Sequence, residues 1–152
     1  MNIIPGDFSD PRIVDLLRIH TTTARAQSPP CSAHALDLEE LMAPDISFWA
    51  AWDGDALMSI GALKALDAHH GEVKSMHTPQ ALRGKGAGGA MLRHIIASAK
   101  SRGLTRLSLE TGSQPFFEPA RALYLRHGFT ECEPFADYVL DSNSVYMTLA
   151  LR

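Results

Sequence analysis

Cysteine, excess charge and long apolar runs are all scarce in this sequence. Its 152 residues include two cysteines, Cys31 and Cys132, with no C-x-x-C pair. This usage argues against a disulfide framework and favours reduced thiols, as in the cytoplasm. No apolar stretch approaches the roughly 18 residues that a membrane-spanning helix needs. No cationic segment followed by an apolar run stands at the start. We therefore expect a cytoplasmic protein without signal peptide or membrane partner.

The remaining bulk properties narrow the class further. A net charge of −3 argues against a nucleic-acid partner. The seven histidines include no His-x-x-x-His pair, so no metal site is expected. Hydrophobic residues make up 45% of the chain and charged residues 20%, as in ordinary globular proteins. Residues 1–152 contain no internal repeat or linker in their sequence, which predicts a single domain.

Positive charge is concentrated in the middle of the chain. Residues 71–106 contain seven lysines and arginines against one acidic residue, Glu72. Such a basic segment in an acidic protein suits a compact polyanion, although a solvated helix face has the same composition.

The apolar pattern predicts a mixed sheet flanked by helices. Residues 71–78 alternate, which places His77 on the face opposite Glu72. A turn at Asp-Ser-Asn predicts a hairpin within 135–151. This order of elements predicts one α/β domain. Helices are expected at 12–27, 33–43, 85–101 and 115–127, and strands at 46–53, 56–66, 71–78 and 105–111, with a further strand at 2–5.

A glycine-rich loop precedes the longest predicted helix. Gly84, Gly86 and Gly89 spell G-x-G-x-x-G between a strand and that helix. The free N–H groups of the first helical turn point into such a loop, and the helix dipole attracts negative charge. The loop therefore predicts an anion site.

A dinucleotide is one candidate for that anion. Glu110 stands about twenty positions later, where a ribose-binding carboxylate is found in nicotinamide enzymes. However, "TPQALR" separates the strand from the first glycine, and 63 residues follow Gly89. Both features disfavour a doubly wound sheet. A Walker A loop is excluded, because no Gly-Lys-Ser/Thr follows.

Two motifs resemble the GCN5-related N-acetyltransferase (GNAT) superfamily. "TPQALRGKGAGGAML" matches its Arg/Gln-x-x-Gly-x-Gly/Ala cofactor motif through Arg83, Gly86 and Gly88, and "ARALYLRHGF" at 120–129 matches A-x-x-L-Y-x-x-x-G-F. Several other segments resemble a bacterial subgroup, the YsnE-like acetyltransferases. The resemblance implies a mostly antiparallel sheet in which two central parallel strands, 72–77 and 106–111, splay apart.

The family resemblance also implies the co-substrate, acetyl-coenzyme A. Its pyrophosphate is expected on the backbone N–H groups of the loop, and its pantetheine arm on the main chain of the strand before it, much like an added strand. The cofactor-binding residues are then Met76, His77, Thr78, Arg83, Gly84, Lys85, Gly86, Ala87, Gly88 and Gly89.

Acetyl transfer to an amine needs a base, an oxyanion donor and an acid. By resemblance, Tyr124 is the acid, and a backbone N–H near Met76 or His77 is the oxyanion donor. Glu72 is expected to be the base, with Glu110, His77 or a water chain as alternatives. The family asparagine that holds pantetheine is replaced here by Phe117, and Ser113 or Gln114 are candidates to take its part.

The acceptor end is expected after the first helix and in the last hairpin. Its acidity favours a small cationic amine, with a protein amine left open. We expect direct transfer in a ternary complex, in a monomer or homodimer. A coenzyme-A-binding sensor without turnover, and a small nicotinamide-dependent protein, are the alternatives. The substrate-binding candidates are Ser28, His34, Glu110, Asp137 and Tyr138.

Overall fold

The computed structural model describes residues 1–27 and 37–152. The helices are α1 (Pro11–Gln27), α2 (Leu38–Leu41), α3 (Ala87–Ser101) and α4 (Glu118–Arg126). The strands are β1 (Asn2–Pro5), β2 (Ile46–Asp53), β3 (Ala56–Ala65), β4 (His70–His77), β5 (Arg106–Gly112), β6 (Thr130–Glu131) and β7 (Ser144–Ala150). Short 3-10 turns at Gln80–Leu82 and Pro115–Phe117 precede α3 and α4.

The seven strands form one sheet in the order β1-β2-β3-β4-β5-β7-β6. All neighbours are antiparallel except β4 and β5, which are parallel. Their ladder pairs His70 with Arg106 and ends at Glu72 and Ser108. Beyond this point β4 and β5 diverge within the described chain, which confirms the expected mixed sheet with splayed central strands.

Helices cover both faces of the sheet. On one face α3 and α4 pack on a core that includes Met91, Leu107 and Tyr124. On the other face α1 and α2 pack on Phe48 and Ile60 of the first antiparallel strands. This second layer contacts β4 through His20 of α1 and His77. On the same face, Phe135 and Tyr138 of residues 132–143 pack on Tyr146 of β7.

A β-bulge at Ser75 interrupts β4. Ser75 has a positive φ of 56°, and the pairing with β3 shifts between Ile60 and Ala62. Ala62 opposes Lys74 and Ile60 opposes His77 across that shift. Lys74 and His77 therefore share one face, and Glu72 shares it with Lys74 because residues two apart lie on the same side.

The bulge overturns the simple alternation predicted for this strand. The prediction that His77 lies on the face opposite Glu72 is wrong. The extra residue at the bulge moves each later side chain of β4 to the other face of the sheet. For the same reason Met76 turns towards the α3 core.

The predicted hairpin at the end of the chain is also wrong in its first half. Residues 135–140 form no strand, and Ala136 has a φ of 51°, a turn conformation. β7 pairs with β6 instead. Pro134, Asp137 and Asp141 favour turns, and they leave too few alternating apolar residues for a second long strand.

Candidate active site

The splay of β4 and β5 opens into a cleft of about 310 Å³. Four segments build its walls: the end of α1, the end of β4, the glycine-rich loop with the start of α3, and α4 with the turn before it. Met76 and Tyr124 reach it from the α3 face of the sheet, and His20 and His77 from the α1 face. The cleft therefore connects the two faces where the sheet is open.

One end of the cleft is suited to an anion. Gly86 caps α3 in the left-handed conformation with a φ of 85°, and Gly84 has a φ of 81°. No side chain caps α3, so its first backbone N–H groups face the cleft. Arg83 and Arg126 also line this end. These are the features that bind phosphate groups at helix N-termini.

Nearly all the predicted cofactor-binding residues line the cleft. They are Met76, His77, Thr78, Arg83, Gly84, Gly86, Ala87, Gly88 and Gly89. Lys85 is exposed and is absent from the lining. The cleft therefore brings together the main chain of β4 and the glycine-rich loop. That these residues bind a cofactor stays a prediction.

Tyr124 stands at the inner wall of the cleft. It is 7% exposed, and its ring packs edge-on to Phe129. Burial, with a smaller contribution from the charge of Glu110, raises the pKa of Tyr124 well above its usual range. The phenol is therefore protonated at neutral pH and can donate a proton or a hydrogen bond into the cleft.

His20 and His77 form a pair at the opposite wall. Their Nδ1 atoms are 3.0 Å apart, and the rings meet edge to face. One Nδ1 must donate and the other accept, so the accepting imidazole is neutral in this contact. Burial, then His77 and Lys74, lowers the pKa of His20 to about 4, and burial and Arg83 lower that of His77 to about 4.

Glu72 lies in a closed network on the α1 face. Its carboxylate is 3% exposed. Lys74 Nζ donates to Glu72 Oε2 at 3.2 Å, and Tyr138 Oη donates to the same oxygen at 2.7 Å. Lys74 Nζ also donates to Tyr138 Oη at 2.9 Å. This triangle ties residues 132–143 to β4 beside the splay.

Glu110 lies on the neighbouring strand and on the same face. It pairs with Tyr146 across β5 and β7, while Leu109 points into the α3 core. Burial raises the pKa of Glu110 to about 7, with Lys74 lowering it and Glu72 raising it. A carboxyl group with this pKa exchanges protons at neutral pH.

The other predicted residues divide into three groups. Ser28 and His34 lie outside the described residues. Asp137 is exposed on the 132–143 segment. Neither Ser113 nor Gln114 lines the cleft, because their side chains bond Ser142 and Asn143 near the start of β7. Phe117 does line it, so an aromatic wall stands where the family asparagine is expected.

Two residues of this site were missed by sequence reasoning. His20 follows Ile13 by seven residues, which places it on the buried stripe of α1. Lys74 was counted only as one of the basic residues of the central segment, although its side chain is 10% exposed and ion-paired. The position of His20 on an apolar stripe was a sequence signal for its burial. The partner of Lys74 had no such signal, because it depends on tertiary structure.

Two absences hold for residues 1–27 and 37–152. No group of three or more His, Cys, Asp or Glu side chains is arranged to hold a metal ion. No helix in these ranges has the length and apolar character to cross a membrane.

Comparison with known sequences identifies relatives over the whole chain. The model of the Acetyltransferase (GNAT) family matches residues 13–129. An N-acetyltransferase of Bacillus subtilis (strain 168) called YsnE, itself uncharacterised, is 52% identical over 99% of this chain and 100% of its own length.

Solved structures share the fold. A Klebsiella pneumoniae protein provisionally described as an acyl-CoA N-acyltransferase is 26% identical, with a TM-score of 0.83 over 99% of this chain and 97% of its own. A Bacillus subtilis acetyltransferase solved in complex with CoA is 19% identical, with a TM-score of 0.75 over 99% of each chain.

The neutral histidine pair predicts a loss of stability in acid. The pKa of His20 is depressed in the folded protein from 6.5 to about 4. As the pH falls below 6.5, the unfolded chain takes up the proton first, so folding stability is lost between 6.5 and 4. At about 1.4 kcal/mol per pKa unit, His20 accounts for about 3 kcal/mol of that loss.

Urea denaturation across this pH range checks the effect. We expect His20→Gln to flatten the acid fall in the free energy of unfolding, and His69→Gln, at an exposed position, to leave it in place. The same acid slope in His20→Gln as in the native protein would contradict a neutral pair.

Proposed function

The chain belongs to the acetyltransferase (GNAT) family, and from that premise we propose that it transfers an acetyl group from acetyl-coenzyme A to the primary amine of a small acceptor. Transfer is direct, within a ternary complex. The observation that carries the proposal is the cleft at the splay, which joins a helix N-terminus suited to an anion to a buried phenol. Two carboxylates, Glu72 and Glu110, lie on the strands beside the cleft.

Acetyl-coenzyme A fits the donor groups of the cleft and supplies the thioester. The backbone N–H groups at the start of α3, from Ala87 to Gly89, are suited to its pyrophosphate, and Arg83 and Arg126 add positive charge. Beyond Glu72, the facing edges of β4 and β5 are not paired with each other. Their main-chain N–H and C=O groups are suited to bind a pantetheine amide. The fold neighbour solved with CoA is consistent with this placement.

Tyr124 is the proposed acid. Its phenol keeps its proton at neutral pH and lines the same cleft as Met76 and His77. A main-chain N–H near Met76 or His77, just past the bulge, is the proposed oxyanion donor. Proton donation by Tyr124 makes the departing thiolate a better leaving group.

For the base, the contacts support Glu110 over Glu72. The Glu72 carboxylate is held by Lys74 and Tyr138, and taking up a proton there would weaken an ion pair. Glu110, with a pKa of about 7, is poised to accept the proton that an ammonium acceptor must lose. A role of Glu72 as base for the acceptor stays a prediction.

The acceptor is proposed to bind on the face that carries these carboxylates. Glu110 and the exposed Asp137 give this face an acidic character, while Tyr138 adds an aromatic surface that is favourable to cations. A small cationic amine fits this combination. Its ammonium group would approach the thioester from the α1 side of the splay.

Acetyl-coenzyme A binding is predicted to depend on Gly86. Gly86 lines the cleft, and a Cβ added there meets no atom within 4 Å. Gly86→Ala strains a φ of 85°, which costs about 1–2 kcal/mol, and also places a methyl group at the pyrophosphate. We expect about tenfold weaker binding in isothermal titration, equivalent to ~1.4 kcal/mol.

Gly103→Ala is the matched control. Gly103 has a φ of 79° and equally open surroundings, but it follows the far end of α3. Both variants are expected to lose similar stability, and only Gly86→Ala to lose affinity. Equal affinities in the two variants would place the coenzyme elsewhere.

The pH dependence of turnover is predicted to follow Glu110. A base must be deprotonated, so kcat/KM should rise with pH and level off above about 7, the pKa of Glu110. Glu110→Gln should lower the plateau ~100-fold and remove the rise near neutral pH. The measurement is the initial rate of coenzyme A release at subsaturating concentrations of a primary amine. If Glu110→Gln keeps the rise of kcat/KM with pH and Glu72→Gln loses it, the base is Glu72 instead.

A further inference from the structure

We propose that the chain acetylates the ε-amine of its own Lys74. The inference rests on the proposed function, since acetyl-coenzyme A is the donor. It adds a modification site, with a protein lysine as the acceptor. Among the described residues, Lys74 combines a primary amine, a carboxylate in contact with it and a place beside the splay.

The place of Lys74 follows from the sheet. The parallel ladder of β4 and β5 ends at Glu72. Lys74 is the next residue of β4 on the same face, so it is the first side chain there beyond the last strand pair. His77, on the same face beyond the bulge, lines the cleft, and Lys74 lies next to that lining without being part of it. The amine thus belongs to the strand segment that flanks the opening.

The surroundings of the Lys74 side chain resemble those that an acceptor amine requires. The side chain is 10% exposed, and Nζ lies 3.2 Å from Glu72 Oε2 and 2.9 Å from Tyr138 Oη. After burial and His77, its charge is a further cause of the lowered pKa of His20, a cleft residue. The ammonium is therefore within electrostatic reach of the cleft.

The proposed step balances with no further reactant than water. Lys74 Nζ passes one proton to the Glu72 carboxylate, and its free electron pair attacks the thioester carbonyl carbon. The C–N bond forms and the C–S bond breaks. The nitrogen loses its second excess proton to water as the amide forms. The coenzyme A thiolate takes up a proton from Tyr124, which regains one from water. The products are acetylated Lys74 and free coenzyme A.

Acetylation would change the network that holds the 132–143 segment. An amide nitrogen carries no charge and one hydrogen, so it cannot form the ion pair with Glu72 and also donate to Tyr138. The Glu72 carboxylate would lose its counter-ion. Self-acetylation would in this way release Glu72 for chemistry with a second amine.

The test is to incubate the purified full chain with isotope-labelled acetyl-coenzyme A and no amine, then to map the label by peptide mass spectrometry. The chain contains four lysines: Lys64, Lys74, Lys85 and Lys100. Lys85 and Lys100 are exposed, so acetic anhydride, as a chemical control, should label them before Lys74. With acetyl-coenzyme A we expect the reverse order, with Lys74 labelled about tenfold faster or more because of proximity.

Two variants test the assigned roles. Glu72→Gln should slow labelling of Lys74 ~100-fold, since it removes the base, while Lys64→Arg should leave labelling unchanged. If Glu72→Gln does not fold, Tyr138→Phe is used, and it should slow labelling because it removes two hydrogen bonds that orient Lys74 and Glu72. The same order of labelling with both reagents would overturn the proposal.

Acetyl-coenzyme A binding and amine-dependent release of coenzyme A are measured on the same preparation. Binding and turnover without label on Lys74 would refute self-acetylation and leave the proposed function standing. Absence of binding would refute both.

Discussion

The parallel pairing of β4 and β5 stops at Glu72 and Ser108, and the site depends on that early end. A fully paired sheet would have a continuous ladder where the cleft now lies. Because the strands diverge, main-chain groups of β4 stay available, and residues from both faces meet in one space. The bulge at Ser75 adds to this by turning Met76 inward and His77 towards α1. Backbone geometry therefore creates the cleft, and side chains give it its chemistry.

The electrostatics of the site differ between its two ends. At the start of α3, the glycines leave the backbone N–H groups accessible, and nearby arginines add positive charge. On the α1 face, burial raises the pKa of Glu110 to about 7, whereas Glu72 is held by a lysine and a tyrosine. Two carboxylates on one face therefore have different contacts. Glu110 is able to exchange protons near neutral pH, whereas the Glu72 side chain ties β4 to residues 132–143.

Much of the fold was predictable from the sequence, because the strands and helices have clear periodicity and boundary residues. The strand at Ile46–Asp53 begins and ends as predicted, and the glycine-rich loop and its helix lie where the motif placed them. The bulge at Ser75 was not predictable, since a serine with positive φ carries no sequence signal. The side of His77 was wrong for that reason, and its contact with His20 was missed, although the place of His20 on the buried stripe of α1 was visible.

The sequence predicted residues of the candidate site but not the contacts between them. The motifs indicated Tyr124 and the loop, but the ion pair of Lys74 with Glu72 joins residues two apart on a strand, and Tyr138 reaches both from more than sixty residues away. Such a network depends on the path of residues 132–143, of which 135–140 were predicted as the first strand of a hairpin. The missing pantetheine asparagine has no replacement from Ser113 or Gln114, since both side chains bond the segment before β7.

The most direct test of acetyl transfer is coenzyme A release from acetyl-coenzyme A with a panel of primary amines, compared between the native protein and Tyr124→Phe. The account predicts amine-dependent release that Tyr124→Phe slows ~100-fold, while the affinity for acetyl-coenzyme A is unchanged. Tight binding of acetyl-coenzyme A without release by any amine in either protein would contradict it and would indicate a coenzyme-binding module.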